Sequence, residues 1–135
     1  MKAETCLKIA GIAGATGVAA GAFGAHALKG GIAEDLLEIY HTGAFYHLIH
    51  SIALLAIASL IQRYQMTKIL GLSAVFFAFG ILVFSGSLYT LAVSGNRWWG
   101  AVTPVGGISL ILGWALLFFA RIEGAESRAS QHNQS

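Results

Sequence analysis

Four stretches of this chain are too long and too poor in charge to fold against water. Residues 9–28 hold one ionisable side chain, His26, and residues 43–61 carry only the imidazoles of His47 and His50 as chargeable bases. Residues 69–93 and 101–120 contain no charged residue. A helix rises about 1.5 Å per residue, so each run covers about 30 Å or a little more, one hydrocarbon thickness. Only 10% of the 135 residues are charged, against roughly 25% in soluble domains. A water-soluble core of this size could not hide that much apolar surface, so lipid is the solvent.

These runs predict an all-α integral membrane four-helix bundle over residues 1–121, with spans at 9–28, 43–61, 69–93 and 101–120. Residues 122–135 are polar, rich in Ser and Gln, and read as a disordered tail. A signal peptide would have a shorter apolar run before its cut site, although Ala13, Ala15 and Ala19-Ala20 could mimic such a site. Gly30-Gly31 ends the first helix, and Ile32, Leu36, Ile39 and Tyr40 recur at helical spacing, predicting an interfacial turn or two before the second span. The tryptophans of the loop 94–100 belong at a lipid–water boundary. Pro104 falls in the first turn of the last span, where a missing N–H costs little.

Basic residues set orientation. With four spans, Lys2, Lys8, Arg63, Lys68, Arg121 and Arg128 fall on one side and Lys29 and Arg97 on the other. That asymmetry predicts an up-down-up-down bundle with both termini cytoplasmic. Charges at segment ends, without aromatic-basic patches, exclude nucleic acid as a partner. The lone Cys6 permits no internal disulfide. It reads as a small residue near the interface, with acylation as the alternative.

The first helix is studded with glycine. Gly17 and Gly21 form a small-xxx-small pair that Gly14 and Gly24 extend, which predicts close packing against another helix of the chain, with a dimer seam as the alternative. Polar residues are unevenly placed. Counting along alternating spans puts Gly80 level with His50, Phe84-Ser85 with Tyr46, Ser85 with Ser109, Ser87 with Gly107, and His26 with Gly86. Gly86, Gly106 and Gly107 would let the last two helices touch. His26, Tyr46, His47, Ser85, Ser87, Tyr89, Thr90, Thr103 and Ser109 then lie in the outer half, and Trp114 is the exception in an inner half of hydrocarbon. Polar groups in lipid need partners, so we expect His26, Tyr46, His47, His50, Ser85, Ser87, Tyr89 and Thr103 to converge on one polar cluster inside the bundle.

Such a cluster has several readings. The simplest is hydrogen bonding between helices. His47 and His50 at i, i+3 could instead share a metal, with His26 as a third ligand, and bis-His haem ligation would require His26. A small solute or proton path is a third. Catalysis lacks an intramembrane Asp or Glu, a nucleophile elbow and a phosphate-cradling loop, so no enzyme and no cofactor are expected.

Several motifs then form one ordered set. Ala22-Phe23-Gly24-Ala25-His26-Ala27-Leu28, Tyr46 to Leu55, Phe84-Ser85-Gly86-Ser87-Leu88-Tyr89, Thr103-Pro104-Val105-Gly106-Gly107 and Leu112-Gly113-Trp114 resemble the small four-helix membrane family of unknown function that includes bacterial YgdD-like proteins and the animal transmembrane protein 256. The likeness runs from Ile9 to Leu117. The family's glycine-alanine-histidine motif falls on His26 and its second-helix histidine on His50, while bacterial members often carry glutamine where His47 stands. The resemblance implies an integral protein of the bacterial inner membrane, or of a mitochondrial membrane in animals, and no known activity. The function expected is that of a non-enzymatic structural or accessory component, embedded in the lipid bilayer alone, as a homo-oligomer or in a larger membrane complex. A ligand, metal or solute site in the polar cluster is the alternative.

Overall fold

The computed structural model describes residues 1–64 and 68–120. Among these the chain is entirely helical. Four helices are long and apolar enough to cross a membrane: Ala3–Leu28, Glu34–Tyr64, Lys68–Ser94 and Arg97–Phe118. The expected tail lies outside the described residues, as do residues 65–67 of the expected loop.

The helices outrun the apolar windows that predict them. The first begins at Ala3 instead of residue 9 and the second at Glu34 instead of residue 43. Hydropathy marks only the part that must avoid water, whereas backbone hydrogen bonding continues into the headgroup zone, where Glu34, Asp35 and Glu38 are tolerated. The predicted interfacial turns are therefore the start of the second helix itself. At 31 residues that helix is about 46 Å long, well beyond the hydrocarbon core. Gly30 stops the first helix with φ of 80°, and Gly95 closes the third with φ of 68°, its N–H donating to Leu91 O at 2.8 Å. The expected loop 94–100 tightens into a 3-10 turn, Arg97–Ala101, capped by Asn96 Oδ1 on the Trp98 N–H at 3.0 Å.

The first helix lies along the second, the third along the fourth, and the second meets the third. On the first helix, Cys6, Ala10, Ala13, Gly17 and Gly24 are buried, a run of three- and four-residue steps that forms one face. Gly17 meets Leu48 and His47, and Gly24 meets the Tyr40 ring. Gly14 and Gly21 do not pack there, contrary to expectation: a Cβ added at either would meet nothing within 4 Å. Gly14 sits one residue past Ala13, about 100° further round the helix, whereas Gly21 keeps the helical spacing of Gly17 and Gly24 but has no side chain opposite it. Cys6 is fully buried, with its thiol donating to Leu54 O at 3.2 Å. It is not placed for acylation.

Between the third and fourth helices, Gly80 faces Leu110, Gly106 lies against the Phe84 backbone, and Gly113 receives the Phe77 ring. Gly86, expected at this seam, is not there and borders open space. The shift has a local cause. Both the first and third helices contain one π turn, Gly24–Leu28 and Ile81–Ser85. A π turn takes in an additional residue and rotates all that follows.

Burial divides into three layers. One apolar cluster joins Leu54, Ile57, Ile61, Leu70, Ala74, Phe77 and Leu110 to the small face of the first helix. Another, towards the other end, joins Leu28, Tyr40 and Ala92. His47, His50, Ser85 and Ser87 are buried between them.

Candidate functional site

The polar layer is built from the second helix outward. His50 is 4% exposed and boxed by aromatics: the Phe77 ring lies 5.3 Å away, Trp114 6.0 Å, and Tyr46 stacks at 5.9 Å. Its Nδ1 is 2.7 Å from the Tyr46 carbonyl oxygen, and the Trp114 indole N–H donates to Nε2 at 3.1 Å. These partners fix the tautomer. A carbonyl only accepts, so Nδ1 carries the proton; an indole N–H only donates, so Nε2 offers its lone pair. His50 is a neutral imidazole with both nitrogens engaged, leaving none for a metal.

His47 points elsewhere, although it lies on the same helix three residues away. Its Nδ1 is 3.2 Å from the Tyr89 hydroxyl and its Nε2 3.4 Å from Thr16 Oγ1. Thr16 donates to Ile12 O at 2.8 Å, so its oxygen is free to accept. With that proton on Ile12 O, the contacts fit a chain from Tyr89 O–H to His47 Nδ1 and from His47 Nε2–H to Thr16 Oγ1. Three residues along a helix turn a side chain about 60°, enough to send these imidazoles into different grooves.

The remaining hydroxyls stitch helices together. Ser87 Oγ and Thr103 Oγ1 are 2.8 Å apart, Ser73 donates to Gly113 O at 2.8 Å, and Ser109 donates to Phe76 O at 2.7 Å. The Ser85 side chain, 1% exposed and inside the π turn, has no hydrogen-bond partner among the described residues.

Comparison with known proteins settles the kinship. The family described as "Protein of unknown function (DUF423)" matches residues 20–107. UPF0382 inner membrane protein YgdD of Escherichia coli K12 is 42% identical over 122 residues, covering 90% of this chain and 92% of that one. The chain belongs to the DUF423 family. UPF0382 membrane protein YwdK of Bacillus subtilis is 37% identical over 106 residues, 78% of this chain and 86% of its own. A UPF0382 membrane protein of Staphylococcus epidermidis is 39% identical over 108 residues, 80% of this chain and 87% of its own. No solved structure matches. This DUF423 protein is a small multi-pass membrane protein of unknown activity, embedded in the lipid bilayer.

In this DUF423 chain the eight expected cluster residues do not form one group. Tyr46 and His50 meet, as do His47 and Tyr89, and Ser87 and Thr103. His26 joins none of them: it is exposed in the first π turn, beside the level at which Gly24 meets Tyr40. Gly17, not His26, stands level with His47, which leaves His26 about 13 Å further along the helix. The expected levels of Ser85 with Ser109 and of His26 with Gly86 do not form either, whereas Phe84 does meet Tyr46 at 4.7 Å. Among the described residues no three His, Cys, Asp or Glu side chains are placed to hold a metal ion.

Two partners escaped the sequence reading. Trp114, the exception in the inner half of hydrocarbon, is not among the expected cluster residues, yet its N–H reaches His50. Thr16 went unremarked; as the sole hydroxyl between Ile9 and Leu28, it was the signal available. The DUF423 fold also leaves a crevice. The first and third helices touch little, and a cavity of about 410 Å³ opens between them. Its polar floor is His47 and Tyr89, with the exposed Thr16 beside them and Gly86 also in the lining.

Proposed function

We propose that the protein is a non-enzymatic structural or accessory component of the bacterial inner membrane or of a complex within it. The observation that carries this reading is that most polar groups of the interior, apart from Ser85 Oγ and the long His47–Thr16 contact, are spent on packing contacts within the chain. His50 spends both nitrogens on its own chain, and Ser73, Ser109 and Cys6 donate to carbonyls of neighbouring helices. A catalytic layer would hold reactive lone pairs and protons in reserve. Unequal burial supports a partner surface. About half of the second and third spans is buried (50% and 44%), but only 22% of the first and fourth, which leaves those two apolar faces for lipid or another protein.

An up-down-up-down bundle with both termini cytoplasmic fits the basic residues, and the names of the Escherichia coli relatives fit an inner-membrane location. The test is purification of the tagged full chain from its native membrane in a mild detergent. We expect a stoichiometric membrane-protein companion or a defined homo-oligomer. A lone monomer at every detergent concentration would overturn the partner reading.

A further inference from the structure

We propose that the crevice between the first and third helices is a binding site for a neutral, membrane-soluble ring ketone of the prenylated quinone class. This goes beyond the accessory role and does not depend on it. The cavity, at about 410 Å³, lies in the range of small-molecule sites, which run from roughly 300 to 1,000 Å³ and pair an apolar lining with a few convergent polar groups. Its rim is Ile12 and Leu82, 67% and 73% exposed, so the opening faces sideways into lipid.

The polar floor selects the ligand. Tyr89 gives its proton to His47 Nδ1, and Thr16 gives its own to Ile12 O. His47 Nε2–H is the donor this arrangement leaves at the crevice: its contact with Thr16 is 3.4 Å, near the limit of a hydrogen bond, with the Ala13 carbonyl as a second neighbour. A carbonyl oxygen entering the crevice offers that N–H a shorter partner. None of the lining residues is Asp, Glu, Lys or Arg, so nothing there compensates a charged headgroup in a low-dielectric setting.

Depth separates two sources of a carbonyl. The apolar part of the second helix, residues 43–61, is centred on residue 52, which puts His47 about 8 Å from the midplane. Glycerol esters are anchored at the interface, about 15 Å from the midplane. A quinone ring carries no such anchor and reaches the centre of the bilayer, with its isoprenoid tail leaving past Ile12 and Leu82.

The test uses purified full-length protein in nanodiscs doped with decylubiquinone, with bound quinone measured against concentration. Saturable binding near one per chain is expected. Gly86→Phe, at a wall position where a Cβ meets nothing within 4 Å, should weaken it at least tenfold without lowering the thermal midpoint. Ile12→Trp narrows the rim from an exposed position and should do likewise. His47→Leu should weaken binding, while His47→Gln, which keeps an N–H donor, should largely retain it. Absence of saturable binding, or equal binding by wild type, Gly86→Phe and Ile12→Trp, would overturn the proposal. Competition by dioleoylglycerol as strong as by unlabelled quinone would overturn the assignment to a ring ketone in favour of an acyl ester.

Discussion

Trp114 holds its indole N–H against a buried imidazole while almost half of its side chain faces outward, so a surface residue completes an interior one. Replacing it with Phe keeps the apolar ring but leaves His50 Nε2 without a donor. Interhelical hydrogen bonds in membranes contribute roughly 0.5–2 kcal/mol, and Trp114→Phe and His50→Leu should each destabilise by that order. Reversible unfolding in mixed micelles measures this. The double variant should lose less than the sum of the two, because both remove the same bond. Strict additivity would mean that the pair is not coupled. Serines give an opposite contrast. Ser73→Ala removes a bond to Gly113 O and should destabilise by about 1 kcal/mol, whereas Ser85→Ala removes an unpartnered hydroxyl and should be neutral or stabilising in the same assay. At this scale the sequence spoke unevenly. His47 and His50 stood out because imidazoles are rare in apolar runs. Their partners did not, since the angle that aims Trp114 at His50 rather than at lipid arises from how two helices cross, 64 residues apart in the chain.

Among elements, the glycines of the third and fourth helices set the distance of approach. Gly106 lies where a Cβ would run into the backbone of Phe84, and backbone cannot swing aside as a side chain can. Gly106→Val should therefore cost about 1–3 kcal/mol, read as a lower thermal midpoint in detergent. Gly14→Val, on the open side of the first helix, should change stability little. If both behave alike, the close approach is not what holds the helices together. The four spans were legible because long uncharged runs have one solution in lipid. Their ends were not, since polar turns such as Glu34–His41 are helical by continuation of hydrogen bonding rather than by hydropathy. The assignment of Gly14 and Gly21 to the packed face failed for a related reason. Small residues in a helix this rich in alanine and glycine mark every side at once, and only the mate on the second helix, Leu48 or Tyr40, shows which side is used.

At the scale of the molecule, orientation is the property most open to a direct measurement. Reporter fusions at residue 2 and residue 120 should both report cytoplasm, and a fusion at residue 31, in the connection between the first two helices, should report the opposite side. Opposite answers for the two ends would refute the four-span reading. The start of the second helix and the turn after the third are joined through Asp35 and Arg97, whose ion pair is 3.0 Å long and more than half exposed. Such pairs contribute roughly 0–1 kcal/mol, so Arg97→Ala should leave the fold intact while removing one of the two opposing basic residues and so strengthening the charge bias. The π turn at Ile81–Ser85 reaches further than any charge. It is a phase setting for the third rod, as a single tooth is for a gear. Straightening it into an ordinary α-helical turn with no residue removed would pass the rotation of the additional residue on to everything downstream. Tyr89 would leave His47, Leu88 and Ala92 would turn from the interior towards the acyl chains, and the outer third of the protein would be dressed for the wrong neighbours, although its composition had not changed.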